Sequence, residues 1–158
     1  MQIPISWRTL LLTALLCTAT MPLLGATQDI YPAPEQAAGD LAAALQTSKT
    51  TRQRVIVDFG GNWCPDCHAL DSYFHDAANA PLLQAHFILV HVNVGRMDQN
   101  RDIAAKYAIP LAKGVPALAV LDADGNLLHS QKTGEFESMR HMRSSAVTEF
   151  LKAWTDGP

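Results

Sequence analysis

The sequence predicts an α/β fold in which helices flank a mixed central sheet. Two observations carry this prediction: a strand–helix–strand pattern occupies the middle of the chain, and a hairpin pattern follows it. Strands joined through a helix pair in parallel, whereas hairpin strands pair antiparallel, so one sheet should contain both arrangements. The chain has 158 residues, of which 48% are hydrophobic, and this is enough for one domain with a buried core.

Apolar residues define the elements in the first half of the domain. Leu41 and Leu45 lie four positions apart in an Ala-rich stretch, which is typical of a helix. A β-branched apolar run before Gly60 indicates a strand buried on both faces, and Leu70 and Phe74 share one face of the helix after it. The predicted elements are a helix at 35–47, a strand at 54–59, a helix at 64–79 and a short helical turn at 82–85.

The second half begins with another apolar, β-branched run, which again indicates a strand buried on both faces. Asp98 after it offers a side chain that can cap a helix. Pro110 and Gly114 then break the chain. The turn sequence at 122–125, Asp-Ala-Asp-Gly, separates two strand-like runs and indicates a hairpin. The predicted elements are a strand at 87–94, a helix at 98–107, hairpin strands at 117–121 and 126–131, and a helix with regularly spaced apolar residues at 144–154.

Residues 1–26 have the pattern of a secretory signal peptide. Arg8 precedes a short apolar stretch, and small residues end it at Ala26. The fully apolar run is shorter than the ~20 residues of a membrane-spanning helix, so a signal peptide is preferred to an uncleaved anchor. Residues 27–36, which contain two prolines, are predicted to be a linker, and 37–158 the globular domain.

The charge of the chain excludes one class of partner. The formal net charge is −3 and no basic patch stands out, so nucleic acid is not an expected partner. We expect a monomer.

The cysteines are the residues with the clearest chemistry. Removal of the signal peptide also removes Cys17 and leaves Cys64 and Cys67 as the only thiols of an exported chain. A bond between residues three positions apart constrains the unfolded chain little, so redox chemistry explains the pair better than stabilisation does. Cys64 lies where a helix begins after a buried strand, and free backbone N–H groups there stabilise a thiolate. We therefore predict that Cys64 is the exposed nucleophile and Cys67 the more buried resolving thiol of disulfide exchange, which needs no cofactor.

Three separated motifs accompany the cysteine pair. Val57-Asp58-Phe59 lies shortly before Trp63-Cys64, the Lys-Gly-Val-Pro-Ala-Leu sequence at 113–118 follows much later, and Asp124-Gly125 occupies the hairpin turn. In order and spacing these motifs resemble the strand, active site, cis-proline segment and hairpin of the thioredoxin superfamily. The resemblance extends over about 55–154 and implies the thioredoxin fold.

The resemblance also implies roles for individual residues. Pro116 would follow a cis peptide bond and face the cysteine pair, and the backbone of Val115 would pair with an extended substrate. Asp58, beneath the site, would accept the proton of Cys67 during resolution. Trp63 would shape the contact surface.

Several residues depart from the pattern of ordinary thioredoxins. Pro65-Asp66 separates the cysteines, and the negative charge of Asp66 should disfavour a nearby thiolate, which favours a reductant over an oxidant. Residues 110–112 look like an insertion that would reshape the substrate groove. His91 stands where the family often has lysine, and would either tune the buried carboxylate or be satisfied within its strand. His68 could influence the thiols electrostatically.

The predicted function is thiol–disulfide exchange that reduces or isomerises disulfides of periplasmic clients, which are proteins or small molecules. A reductant outside the cytoplasm has to be recharged after each cycle. A membrane thiol donor is therefore a further expected partner.

Two other functions fit parts of the sequence. Residues 64–68 also match the Cys-x-x-Cys-His motif for attachment of a c-type haem, with His68 as the proximal ligand and Met97 or Met142 as the distal one. A non-catalytic adaptor with the same fold is the second alternative. The remaining histidines lack the paired spacing of a zinc site, and a serine hydrolase would need a Gly-x-Ser-x-Gly elbow.

Overall fold

A mixed four-stranded sheet forms the centre of the computed structural model, which describes residues 29–155. The strands follow the spatial order β2-β1-β3-β4, in which β1 is parallel to β2 and antiparallel to β3, and β3 is antiparallel to β4. The predicted mixed sheet is confirmed. The strands are β1 (Arg54–Gly60), β2 (Phe87–Asn93), β3 (Ala117–Leu121) and β4 (Leu127–Ser130).

Helices cover both faces of this sheet. Successive residues of β1 point to opposite faces, so Val57 joins an apolar cluster with α1 and α4, whereas Ile56 joins a second cluster with α2, α3 and α5. The helices are α1 (Ala37–Thr51), α2 (Pro65–Phe74), α3 (Ala80–His86), α4 (Arg101–Lys106) and α5 (Ser145–Ala153). Short 3-10 turns at Pro34–Gln36, Leu111–Lys113 and Met139–His141 complete the described elements.

The helix predicted at 64–79 is shorter in the structure and ends at Phe74. The side chain of Asp76 accepts hydrogen bonds from the backbone N–H groups of Ala78 and Asn79 and forms a turn there. A new helix, α3, then begins with Pro81 in its first turn, where a proline costs no intrahelical hydrogen bond.

The helix predicted to begin at Asp98 begins at Arg101 instead. The Asp98 side chain accepts a hydrogen bond from the backbone N–H of Arg96 and closes a local turn rather than capping α4. Asn100 precedes the helix in a left-handed conformation, with φ 49°, and its amide donates to the carbonyl of Asn93. The same amide also donates to the carbonyl of Pro34, 66 positions away.

Strand β2 differs from the expectation of a strand buried on both faces. It lies at an edge of the sheet, and buried residues such as Val90 and Val92 alternate with half-buried ones such as His91. The His91 side chain keeps 18% of its surface exposed.

The described part of the predicted linker packs onto the domain. The side chain of Asn62 accepts hydrogen bonds from the backbone N–H groups of Ile30 and Tyr31, both at 2.9 Å, and donates to the Tyr31 carbonyl at 2.8 Å. Tyr31 is fully buried. These contacts join segments about thirty positions apart, so local composition does not reveal them. The predicted signal peptide at 1–26, with Cys17, lies outside the described residues.

Between Asp29 and Thr155, no helix combines the length and the apolarity needed to cross a membrane.

Candidate active site

The cysteine pair lies at the junction between the end of β1 and the start of α2. Cys64 is the N-cap residue of α2, and its sulfur accepts a hydrogen bond from the backbone N–H of Cys67 at 3.1 Å. Pro65 takes the first helical position, where its fixed φ favours the helix and a missing N–H costs nothing. The two cysteines form a disulfide, with their Cα atoms 5.3 Å apart. The first turn of α2 therefore directs a donor at the sulfur that would carry negative charge.

Cys64 is less exposed than the sequence predicts. In this disulfide form it is 3% exposed, and Cys67 is fully buried. Both cysteines are thus buried, and Val115 reduces access to the Cys64 sulfur because its carbonyl oxygen lies 3.6 Å away. The peptide bond between Val115 and Pro116 is cis, and both residues are buried against the pair.

Asp58 lies on β1 and is fully buried, as expected from its apolar neighbours. Its Oδ2 accepts hydrogen bonds from the hydroxyl of Tyr31 at 2.6 Å and from Nδ1 of His91 at 2.9 Å. Its Oδ1 has no hydrogen-bond partner among residues 29–155. One carboxylate oxygen is thus held by two donors, and the other is free to accept a proton.

The environment of Asp58 shifts the protonation of both partners. Burial, together with the negative charge of Asp58, raises the pKa of Tyr31 well above its ordinary value. Burial opposes the charged form of His91, but the hydrogen bond and the charge of Asp58 outweigh it and raise the pKa of that imidazole. Tyr31 therefore stays neutral, and the protonated form of His91 is favoured.

The Tyr31 hydroxyl and the Cys67 sulfur both lie close to Gly60. A Cβ atom added at Gly60 would lie 2.7 Å from the sulfur of Cys67 and closer still to the Tyr31 hydroxyl. The hydroxyl and the sulfur therefore approach the same point of the strand, which only a glycine leaves open. Tyr31 could not be identified as a site residue from the sequence, since the pattern around it gives no sign of burial.

Asp66 is paired with Arg140, a contact that the sequence does not reveal. Its carboxylate accepts a hydrogen bond from the backbone N–H of Arg140 at 2.8 Å and lies 3.2 Å from Nε of the same residue. Burial acts against the ionised form, but these hydrogen bonds and the positive charge of Arg140 lower the pKa of Asp66. The negative charge beside Cys64 is therefore partly compensated.

Trp63 and His68 lie on either side of the cysteines in sequence and have different surroundings. Trp63 is 41% exposed, its indole N–H donates to the carbonyl of Gly95, and the guanidinium of Arg96 lies 5.6 Å from the ring centroid. Its position fits a surface role better than core packing. His68 is half-buried, and its Nε2 lies 2.9 Å from the carbonyl oxygen of Asn62.

The predicted insertion at 110–112 contributes to the 3-10 turn at Leu111–Lys113, directly before the cis-proline segment. Gly114 follows it with φ 105°, and a Cβ there would lie 3.0 Å from the side chain of Glu137. The structure thus brings the loop around Glu137 next to this segment.

The geometry gives the haem alternative no support. Cys67 is fully buried, and Nε2 of His68, the atom that would bind iron, faces a backbone carbonyl. Within residues 29–155, no group of three or more His, Cys, Asp or Glu side chains is arranged to hold a metal ion.

A redox-active cysteine pair at the start of a helix, beside a cis-proline segment on a mixed sheet, defines a thiol–disulfide oxidoreductase of thioredoxin fold. The sequence profile described as thioredoxin-like matches residues 34–123, more than half of the chain. The chain belongs to this family, and the resemblance seen in its sequence is confirmed.

Known thiol–disulfide exchange proteins are similar to this chain in sequence or in structure. The crystal structure of a disulphide isomerase from Xylella fastidiosa Temecula1 is similar, with a TM-score of 0.78 and 31% identity over 83% of this chain and 100% of that one. Among curated proteins, the thiol:disulfide interchange protein DsbD of Vibrio vulnificus (strain CMCP6) is 34% identical over 88 residues, which is 55% of this chain but only 14% of DsbD. The C-terminal domain of Neisseria meningitidis DsbD, at 16% identity and a TM-score of 0.52 over 73% of this chain and 95% of that one, shares the fold.

Proposed function

We propose that this thiol–disulfide oxidoreductase reduces or isomerises disulfides of protein clients in the periplasm, with Cys64 as nucleophile and Cys67 as resolving thiol. The observation that carries the proposal is the position of the Cys64 sulfur, which accepts the N–H of Cys67 at the N-cap of α2 and lies beside the backbone of Val115. A thiolate there is stabilised by the helix terminus.

The first step is attack of the Cys64 thiolate on a client disulfide. A bond forms between Cys64 and one client sulfur, and the other client sulfur leaves as a thiolate. The N–H of Val115 is not paired with another backbone group within residues 29–155, so it can pair with an extended client, whereas the carbonyl of Val115 lies beside the Cys64 sulfur. Exposed Trp63 lies next to Cys64 in sequence and offers an aromatic contact.

The second step is resolution by Cys67. Its sulfur attacks the Cys64 sulfur, the disulfide between the two cysteines forms, and the client sulfur leaves as a thiolate with the bonding electrons. The client is thereby reduced by two electrons and the cysteine pair is oxidised. The proton of Cys67 passes to Asp58, whose Oδ1 has no other partner in the described part of the chain.

The direction of exchange is supported by similarity rather than by Asp66 alone. The carboxylate of Asp66 is partly compensated by Arg140, which weakens the argument for a reductant that its charge provided. The protein with 31% identity over most of this chain is named a disulphide isomerase. We therefore place this chain among reductants and isomerases.

Export to the periplasm and reduction by a membrane thiol donor are parts of the same proposal. The pattern of residues 1–26 supports export, and a reductant outside the cytoplasm needs a membrane thiol donor to restore its dithiol. The match to a thiol:disulfide interchange protein agrees with a place in such a relay. Alkylation of thiols in intact cells tests this: a mainly reduced Cys64–Cys67 pair supports a donor, and a fully oxidised pair argues against one.

Trapping of clients tests the assignment of the two cysteines. Cys67→Ser should accumulate mixed disulfides that appear on non-reducing gels and disappear with reductant, because resolution is blocked. The matched control Cys64→Ser should trap far less. Equal trapping by the two variants, or none by either, would contradict the proposed roles.

The reduction potential tests the direction. Equilibration of the full exported chain in glutathione buffers should give a value close to the ~−270 mV of thioredoxin. A value near the ~−120 mV of a strong oxidant would instead make the protein an enzyme that introduces disulfides.

A further inference from the structure

A chain of alternating acidic and basic side chains connects Asp58 with the surface. Nδ1 of His91 lies 2.9 Å from Oδ2 of Asp58, Nε2 of His91 lies 3.8 Å from Oδ1 of Asp71, and the same oxygen lies 3.4 Å from Nδ1 of His75. The side chains are 0%, 18%, 25% and 60% exposed from Asp58 through His91 and Asp71 to His75. The chain therefore leads from a fully buried carboxylate to solvent.

The outer part of this chain lines a cleft of about 510 Å³. The lining residues are Asp29, Ile30, His68, Asp71, His75 and His91. Val115, whose carbonyl lies beside the Cys64 sulfur, and the predicted client-contact residues Trp63 and Pro116 do not line it. Water in the cleft can reach the outer nitrogen of His91 without passing the surface on which a client would dock.

Resolution creates an electrostatic problem at Asp58. Asp58 and His91 together have no net charge when the pair holds one proton. Transfer of the Cys67 proton to Asp58 adds a second proton and gives the pair a net positive charge, which burial disfavours. Tyr31 cannot remove the excess proton, because its hydroxyl already donates to Asp58. Among residues 29–155, His91 alone both contacts Asp58 and lines the cleft.

We propose that His91 is a positioning residue that acts through Asp58 and releases a proton into this cleft each time Cys67 resolves a mixed disulfide. The proposal rests on the proposed exchange function. Asp58 gains the proton of Cys67, His91 gives its Nε2 proton to water near Asp71, and the buried pair holds one proton before and after the step. When a donor reduces the cysteine pair again, the protons return in the opposite order.

The groups around His91 come from four parts of the fold. Asp58 faces it from β1, Asp71 faces it from α2, and the Tyr31 ring packs on it with centroids 5.0 Å apart. Asp40 of α1 lines a second cleft that His91 also borders. The remaining titratable groups of the first cleft are Asp29, His68 and His75. These surroundings are mostly acidic and favour the protonated imidazole on which the proposal depends.

The experiment follows the two steps of exchange separately in the full exported chain. Reduced protein and one equivalent of dithiobis(nitrobenzoate) release thionitrobenzoate twice: first when Cys64 attacks, then when Cys67 resolves the mixed disulfide. For His91→Gln we expect an unchanged first phase. The second phase should slow about tenfold or more near pH 7, within the range for loss of an assisted proton transfer, and should recover as the pH rises.

Three further variants make the result decisive. His86→Gln, a histidine at the end of α3 outside the site, should leave both phases unchanged. Asp71→Asn, on the exposed side of the chain of groups, should slow the second phase less than His91→Gln does. In His91→Ala, added imidazole should restore part of the second phase, which a merely structural role of His91 would not allow.

The outcomes separate this inference from the proposed function. Absence of both phases in the unmodified protein would contradict the exchange function itself. Normal exchange in the unmodified protein, with an unaltered second phase and pH profile in both His91→Gln and Asp71→Asn, would overturn the role of His91 alone. Because Asp71 is a partly exposed helix residue, its variant keeps the test valid even if His91→Gln folds poorly.

Discussion

Asp58 and His91 occupy matching positions of the parallel pair β1–β2, and their side chains meet at 2.9 Å. Asp58 belongs to the inner strand and is fully buried, whereas His91 belongs to the edge strand and keeps contact with solvent. This arrangement gives a buried carboxylate a titratable partner that water can reach. The sheet order thus determines the electrostatics of the site.

The pH dependence of stability should report on this pair. The pKa of His91 is raised in the folded protein, so its contribution to stability is fully present below the unfolded value of about 6.5 and is lost as the pH rises through the folded value. His91→Gln should therefore reduce the free energy of unfolding more at about pH 6 than at about pH 9. Urea denaturation at both pH values measures this, with His86→Gln as control. A loss of unfolding free energy in His91→Gln that is equal at both pH values would contradict the prediction.

Removal of the Tyr31 hydroxyl should destabilise the protein. Tyr31→Phe leaves a buried, charged Asp58 with one donor fewer and should cost about 1–3 kcal/mol of unfolding free energy. Tyr107→Phe is a matched control, because the Tyr107 hydroxyl is buried without a hydrogen-bond partner among residues 29–155, and its loss should be neutral or stabilising. Equal effects of the two variants in urea denaturation would show that the bond to Asp58 contributes nothing.

The same tyrosine should make the protein sensitive to alkali. Since the pKa of Tyr31 is raised on folding, its stabilising effect is present below the unfolded value of about 10 and is lost above it. The difference in unfolding free energy between the unmodified protein and Tyr31→Phe should therefore shrink at about pH 11 compared with about pH 8. A difference in unfolding free energy that is the same at both pH values would argue against a raised pKa of Tyr31.

Gly60 should tolerate no side chain. A Cβ there would collide with the Tyr31 ring and the Cys67 sulfur, so Gly60→Ala should cost about 1–3 kcal/mol or more and alter the reactivity of the cysteines. Gly39 provides the contrast, since a Cβ there meets nothing within 4 Å on helix α1. Gly39→Ala should stabilise the protein by about 0.5–1 kcal/mol. Thermal unfolding of both variants tests the pair of expectations, and a neutral Gly60→Ala would be inconsistent with this packing.

Asp66 and Arg140 should have opposite effects on the reactivity of Cys64. Arg140→Gln removes the compensating charge and should slow alkylation of reduced Cys64 by iodoacetamide, whereas Asp66→Asn should accelerate it. Arg143→Gln, an exposed arginine of the same region, is the control. Unchanged rates in both variants would show that Asp66 does not act on the thiolate.

The Asp66–Arg140 pair should also contribute to stability under acid conditions. The pKa of Asp66 is lowered on folding, so its contribution is present above the unfolded value of about 3.9 and is lost as the pH falls through the folded value. Because Arg140 is mostly exposed, a double-mutant cycle near neutral pH should give only about 0.2–1 kcal/mol of coupling. A coupling that persists at about pH 2 would contradict an ionic origin.

The fold and the reactive cysteines could be predicted because their signals are local. The apolar run of β1 identifies a buried strand and places Asp58 inside it, and Cys64-Pro65-Asp66-Cys67 spans one turn at the start of a helix. Helix boundaries were less accurate where a side chain bonds to a distant backbone group, as Asn100 does with Pro34. Such bonds leave no periodic pattern in the sequence.

The sequence by itself determined the strand, the helix start and the spacing of the thiols, because each depends on residues within a few positions of one another. Only the tertiary structure placed Tyr31 against Asp58, 27 positions away, and Arg140 against Asp66, 74 positions away. It also placed β2 at the edge, which gives His91 its access to solvent. These pairings depend on the path of the whole chain, and the surroundings that tune the cysteines are therefore a property of the folded molecule.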